Sequence, residues 1–345
     1  MKSFIVTRSQ INSLAAELLS KNWSIFTQSE DRKRFKQCES ESEISVDGNG
    51  KPSDVSFKEL FFPKSETLFY FNRDNEELTL LDPAEPGTKT VIFGAKPCDA
   101  ASVPVLSKVF NWDYNDEFFN KRVENTIVIS IACSYSDESC FCTSVGLSPF
   151  SEIGSDLFLI PTEKDSFILK IVSEKGEKFI NEFPFMIQKE FEGTFDLENQ
   201  KASFPKEKFD FASVKEWLGK NFKDEIWNEV GELCLGCAQC AYVCPTCHCF
   251  DIVDENCGVS CGRRVKNWDS CQFGLFTKHA SGHNPREDQS RRYRQRVNHK
   301  FNYYKQRFDE ILCTGCGRCT RGCPVSIDIA QVLEKIQCKQ SAAIV

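Results

Sequence analysis

A mixed α/β amino-terminal domain joined to a small, cysteine-rich carboxyl-terminal domain is predicted by three features of the 345-residue sequence. Of its 19 cysteines, 14 fall from Cys234 onward, whereas the first 233 residues hold five. Before that point, short apolar runs bounded by turn formers alternate with amphipathic segments. The content of 41% hydrophobic and 12% aromatic residues suffices for packed cores, which excludes a wholly disordered or fibrous chain. A polar, Lys/Glu-rich stretch from about Lys189 to Lys208 reads as a linker, so the domains are drawn at 1–215 and 216–345.

Ser3 to Val6 reads as a short strand, and Ile11 to Leu19 has the spacing of an amphipathic helix. Thr67 to Phe71 and Thr90 to Phe93 are expected as buried strands, with Ala100 to Phe110 a helix after the second, confined by Pro104. Thr126 to Ala132 is dense in β-branched apolar residues and reads as a strand. Asp156 to Ile160 and Phe167 to Val172 read as a hairpin. Trp217 to Val230 is expected as a helix leading into the second domain. Near the carboxyl end, Asp328 with Gln331 resembles a capping box, and Ile329, Val332, Leu333 and Ile336 give a helix one apolar face.

The chain is longer than disulfide scaffolds, which are usually below about 80 residues. Its start, MKSFIVTRSQINSLAAELL, has no apolar run of signal-peptide length. Its longest apolar stretches, such as Thr126 to Cys133, fall far short of the roughly 18 residues that mark a membrane-spanning helix. The expected setting is a reducing cytoplasm without direct membrane insertion, where clustered thiols bind metal or do redox chemistry.

The chemistry sits in a repeat. Cys234, Cys237, Cys240 and Cys244-Pro245 follow C-x2-C-x2-C-x3-C-P, and Cys313, Cys316, Cys319 and Cys323-Pro324 follow it again. This is the bacterial ferredoxin run, in which three closely spaced thiolates wrap one cubane and the fourth ligates the other. One [4Fe-4S] cluster is thus expected on Cys234, Cys237, Cys240 and Cys323, and a second on Cys313, Cys316, Cys319 and Cys244. Gly236, Gly315 and Gly317 supply backbone freedom inside the loops. Structural zinc, the alternative, arranges its thiols as separated C-x2-C pairs or adds histidine, rather than as two triplets each with a fourth cysteine before proline.

The two runs are 68 residues apart, and the insert, 245–312, is expected to be helical. It carries Cys247, Cys249, Cys257, Cys261 and Cys271, then nine Lys/Arg against two Asp/Glu between Lys278 and Arg307, net +7 in a chain of net −7. That segment reads as compensation of anionic clusters or docking to an acidic partner. A solvated helical face is the bland alternative. A nucleic-acid patch is a third, because Tyr293, Tyr303 and Tyr304 lie among the arginines, but the acidic total charge sets the expectation against nucleic acid. In the first domain, two predicted strands run into Cys98 and into Cys133, Cys140 and Cys142. If these strands are parallel neighbours, both loops open at the carboxyl edge of one sheet and four thiols meet there. The alternative is that Cys98 and Cys133 are small buried hydrophobes.

The strings FGAKPCDA, the C-x6-C-F-C of Cys133, Cys140 and Cys142, CAQCAYVCPTCHCFD, WDSC, GHNPRED, RYRQRVNHKFNYY and CTGCGRCTRGCPVSIDI together resemble the family of anaerobic sulfite reductase A-type subunits and sulfhydrogenase beta subunits, from about Phe57 to Ile336. The resemblance implies a cytoplasmic iron-sulfur subunit that relays electrons, with a flavin/NAD(P)-binding subunit on one side and a catalytic reductase or hydrogenase subunit on the other. It also implies a third [4Fe-4S] cluster on Cys98, Cys133, Cys140 and Cys142, and places Cys247, Cys249 and Cys271 in family motifs. One departure is Ala238, where a glycine often follows the second cysteine of the first run. No G-x-G-x-x-G follows a strand, and Gly50-Lys51-Pro52-Ser53 lacks the upstream spacing of a phosphate loop. The four histidines, His248, His279, His283 and His299, form no recognisable nucleophile or metal-ligand set. No catalytic residue is therefore expected on this chain; a reductase site built from the insert's extra cysteines is the alternative.

Overall fold

The structure is a computed structural model that describes residues 2–74, 77–162, 165–193 and 204–344. The middle of the expected linker, 194–203, lies outside the described residues. The chain begins with β1 (Ser3–Thr7) and α1 (Arg8–Ser20), the helix started by a capping box in which Thr7 and Gln10 each accept the other's backbone N–H. Next come β2 (Ser24–Gln28), β3 (Phe35–Gln37), β4 (Ser65–Asp74) and β5 (Glu77–Leu81). They are followed by β6 (Thr90–Ala95), α2 (Pro97–Ala100), α3 (Ser102–Phe110), α4 (Glu117–Glu124) and β7 (Thr126–Ile131). The hairpin expected from the sequence is β8 (Leu157–Pro161) with β9 (Ser166–Ile171), and α5 (Glu174–Asn181) closes the first half.

Seven of these strands form one sheet in the order β1-β9-β8-β7-β6-β2-β3. Its centre, β2, β6, β7 and β8, is parallel, and β1, β9 and β3 add antiparallel edges. Every residue of β7 is buried, as is β6 after Thr90, because helices cover both faces, which is why these strands read as unbroken apolar runs. One face packs Ile11, Leu14 and Leu18 of α1 with Phe179 and Ile180 of α5. The other packs Phe57, Phe61 and Phe62 with Leu106, Phe110 and Phe119. Since β6 and β7 are parallel neighbours, the loops that carry Cys98 and Cys133 leave the same carboxyl edge.

The second half contains α6 (Phe211–Lys220), α7 (Ile226–Leu233) and α8 (Gln239–Tyr242), then β10 (Phe250–Asn256) and β11 (Cys261–Trp268). It ends with α9 (Gln289–Asn298), α10 (Tyr304–Phe308), α11 (Arg318–Arg321) and α12 (Ile329–Ile344). The single helix expected over Trp217 to Val230 is two, because the backbone turns after Asn221, whose N–H and side-chain amide both donate to the Trp217 carbonyl. A shared core joins Trp217, Trp227, Tyr293, Val297, Phe301, Leu333 and Ile336 to Phe141 and Val145 of the first half.

The insert differs from its expected helical form. Before its helix comes a β-hairpin, β10–β11, which pairs with β4 and β5 in an antiparallel sheet of order β10-β11-β4-β5. The strand foreseen at Thr67 to Phe71 therefore belongs to this second sheet and is partly exposed, not buried in the first. Its partner lies almost 200 positions along the chain, so no local pattern announces the pairing. Lys266 of β11 clamps the sheet to the body. It is 4% exposed and its ammonium lies 2.7 Å from Glu66 Oε2 and 2.9 Å from Asp116 Oδ2. Asp116 also caps α4 by accepting the Phe119 N–H. Cys257 and Cys261 are joined as a disulfide across the β10–β11 turn, so these two sulfurs depart from the all-thiol expectation.

Lys266→Met should leave the buried Glu66 with Arg122 as its other cation and the half-buried Asp116 without its lysine, and lower the unfolding free energy by up to roughly 3 kcal/mol, the low end of the cost of breaking a buried ion pair. Urea unfolding followed by circular dichroism measures it, and an unchanged midpoint would mean the clamp contributes nothing.

Candidate metal centres

The two ferredoxin runs fold alike. In the first, Cys234 ends α7, Gly236 (φ +68°) and Ala238 (φ +62°) turn the loop, and Cys240 sits in α8. In the second, Gly315 (φ +63°) and Gly317 (φ +70°) occupy the equivalent positions and Cys319 sits in α11. Each loop needs two left-handed residues to bend around three thiols, and Ala238 stands at one of them without a glycine's freedom.

The structure draws the predicted ligands into three groups. Cys234, Cys237, Cys240 and Cys323 line one cavity, the crossed arrangement in which the last cysteine of the second run meets the triplet of the first. Cys244 lies within electrostatic reach of Cys313 and Cys319, and Cys319 of Cys316. Cys98, Cys133, Cys140 and Cys142 line a third cavity, together with Cys316 and Gly315. The Phe141 N–H donates to the Gly315 carbonyl at 2.9 Å, which stitches the third group to the second ferredoxin loop. Among the described residues no three His, Cys, Asp or Glu side chains close on one point as they would around a single ion; the thiols stand around cavities instead.

Burial dominates the acidity of these thiols. It pushes Cys140 up to about 11 and Cys142, Cys240 and Cys313 up to about 12. A thiol so placed becomes a thiolate when a metal's positive charge takes the place of its proton. The residues thus fit an iron-sulfur group in donor type and number.

The basic segment of the insert is internal in part. Arg292, Arg296 and Lys300 are each 6% exposed or less. Arg296 places Nη1 3.3 Å from Cys247 Sγ and donates from Nη2 to the Cys240 carbonyl at 2.9 Å. Lys300 donates to Cys244 Sγ at 3.3 Å, to Thr246 Oγ1 at 3.1 Å and to the Leu312 carbonyl at 2.8 Å. Burial works to discharge Lys300, yet the Cys244 and Cys247 sulfurs hold it above the ordinary lysine range. Tyr293 and Tyr304 are buried as well, whereas Tyr303 and Arg294 are half-buried and Arg307 is exposed. Arg296 and Lys300 place positive charge against the thiols, while Arg291 pairs with Glu287 and Asp288.

Further charged side chains were not legible as site residues. Lys96, 1% exposed, donates to the Asp47 and Gly48 carbonyls at 2.6 and 2.9 Å and faces Cys133 and Cys98. Arg318 pairs with Asp99 at 2.8 Å, both side chains 1% exposed, and ties α11 to α2 beside Cys98. Arg321 pairs with Asp137 and reaches toward Cys140 Sγ at 3.9 Å. Their signal lay in the Lys96-Pro97-Cys98 and Arg318-Cys319 neighbourhoods, but the pairing partners are remote in sequence. His248 and His299 stack edge to face at 5.4 Å, and burial pulls them down to about 4 and about 3, so both are neutral imidazoles.

The 4Fe-4S dicluster domain family matches residues 233–327, which span both runs and the insert. Over 311 residues, 88% of this chain, the sequence is 29% identical to the sulfhydrogenase 2 subunit beta of Pyrococcus furiosus, covering 89% of that protein. Together the two matches support the sulfhydrogenase beta subunit family. No solved structure matches significantly. The dicluster match supports two [4Fe-4S] clusters in the second half and begins well after Cys142, so it says nothing for a cluster on the amino-terminal thiols. Among the described residues no helix is long and apolar enough to cross a membrane.

Ala238→Gly should stabilise the protein by about 1 kcal/mol through relief of its left-handed backbone. Gly317→Ala should do the reverse and more, because a Cβ there would stand 2.5 Å from the Ser139 carbonyl oxygen. Thermal unfolding of the two variants against the parent checks both signs.

Proposed function

We propose that the chain is the iron-sulfur electron-transfer subunit of a cytoplasmic multi-subunit oxidoreductase. It relays electrons between two partners, one a flavin/NAD(P)-binding subunit, the other a catalytic subunit of the sulfite reductase or sulfhydrogenase type. In this reading Cys234, Cys237, Cys240 and Cys323 hold one [4Fe-4S] cluster and Cys313, Cys316, Cys319 and Cys244 a second. Cys98, Cys133, Cys140 and Cys142 hold a third.

The observation that carries the reading is the contiguity of the three thiol groups. Cys319 of the second ferredoxin run also lines the cavity of the first group, and Cys316 of that run lines the cavity of the amino-terminal group. A row of neighbouring centres is what a relay needs. When bound, the clusters supply one-electron transfer at potentials set by thiolate ligation, hydrogen bonds to sulfur and burial. The chain's own residues do the rest. The cysteines grip the metal, Arg296 and Lys300 place positive charge against the sulfurs, and Ile327, Ile329 and Tyr293 wall part of the first group's cavity. The similarity to a sulfhydrogenase beta subunit supports a place in a multi-subunit assembly.

Anoxically purified chain should be brown and hold about twelve iron atoms, four for each cubane. Cys133→Ser with Cys142→Ser should remove about four of them while the signals of the two ferredoxin-type clusters persist in electron paramagnetic resonance. An unchanged iron content would leave the relay with two centres only. Turnover of a physiological substrate by the isolated, fully loaded chain would overturn the relay reading itself.

A further inference from the structure

The hairpin β10–β11 closes its open end on thiols that belong to none of the three groups above. The strand register sets Phe250 opposite Trp268, and the Asp269 N–H donates to the Cys249 carbonyl at 2.9 Å. The strand pairing thus returns Cys271 to Cys249 across 21 intervening residues, and the two side chains are in hydrogen-bond contact. Cys247 stands two residues before Cys249, within electrostatic reach of it, with Arg296 Nη1 3.3 Å from its sulfur. Cys249 and Cys271 line a cavity of about 320 Å³ together with His248 and His299. The His248 Nδ1–H donates to the Thr246 carbonyl at 3.0 Å, which leaves the lone pair on Nε2, the arrangement by which an outer carbonyl orients a metal-ligating imidazole.

The charge around these thiols points the same way. Lys58 is 3% exposed, and its ammonium donates to the Cys247 carbonyl at 2.9 Å and lies 4.0 Å above the Trp268 ring. Burial works to discharge it, and the Cys247, Cys244 and Cys249 sulfurs oppose that. His299 and Lys300 sit on a π-helical turn, His299–Tyr303, between α9 and α10, a distortion found most often at functional sites.

We propose that Cys247, Cys249 and Cys271 hold a further [4Fe-4S] cluster, with His248 as its fourth ligand. The cavity offers Cys249, Cys271, His248 and His299 as soft and borderline donors, with Cys247 adjoining it, a donor set that suits an iron-sulfur group. It lies beside Cys244 and Cys240, whereas the amino-terminal thiols lie beside Cys316. Cys247 touches Cys244 of the second group, while Cys249 and Cys271 are assigned to no other group.

The test uses the full chain, purified without oxygen and loaded with iron and sulfide. Cys249→Ser with Cys271→Ser should lose about four iron and four sulfide per chain and one reduced-state paramagnetic signal. Circular dichroism and the ferredoxin-type signals should stay as in the parent. His248→Ala guards against a folding defect: it should alter the g-values and potential of that same signal while the protein keeps its fold. Unchanged iron and unchanged spectra in both variants would overturn the proposal. So would zinc in place of iron at these residues, or a Cys249–Cys271 disulfide in the anoxic parent detected by mass spectrometry of alkylated peptides.

Discussion

Anionic sulfur taken out of water has to be met by positive charge held equally deep, and this requirement organises much of the molecule. An isolated charge in a protein interior costs several kcal/mol after relaxation, while a well-placed opposite charge recovers most of it. Arg296, Lys300, Arg318, Lys58 and Lys96 are all buried, and each faces sulfur. They come from four separate places in the chain, so the thiol array and its cations can be satisfied together only in the assembled tertiary structure. The same need explains a strongly basic helix inside an acidic protein. Its Arg296, with Lys300 just beyond it, is a counter-charge to sulfur.

The parallel sheet and the ferredoxin loops meet through that array. Parallel pairing of β6 and β7 sends Cys98 and Cys133 off one edge, and the second ferredoxin loop docks there through Gly315 and Gly317. Both glycines are in backbone contact with the Ser139–Cys142 segment, at distances where a Cβ would collide. Gly317 is therefore bound to be glycine twice over, by its dihedral angle and by its neighbour. Ala238, at the matching place in the first run, has the same dihedral demand, and none of the amino-terminal loop presses on it. The asymmetry of the two runs thus follows from only one of them being packed against the sheet edge.

The long insert has a mechanical meaning in this setting. A ferredoxin run needs no more than a short connection to its partner, yet here the chain detours through a hairpin that joins a second sheet and through a helix that reaches back between the thiols. The hairpin is pinned by Lys266 and by Trp268, whose indole N–H donates to the Phe62 carbonyl at 3.0 Å. Pinning its base fixes Cys249 and Cys271 relative to Lys58 of the first half.

The sequence by itself determined the ferredoxin loops, the central strands and the crossing of the fourth cysteines, because each is written in local spacing. Triplets of cysteine before proline, continuous β-branched runs and an apolar helical stripe are short-range patterns, and the sheet-edge meeting of Cys98 with Cys133, Cys140 and Cys142 needed only that two predicted strands be parallel. The tertiary structure alone decided that Thr67 to Phe71 pairs with β11, that the Trp217–Val230 helix breaks at Asn221, and that Arg296 and Lys300 point inward. It also decided which remote cations, Lys58, Lys96 and Arg318, face which sulfurs. Those outcomes depend on contacts between residues up to about two hundred positions apart, where the free energy of burying charge and closing a sheet is settled by partners that no local window of sequence contains.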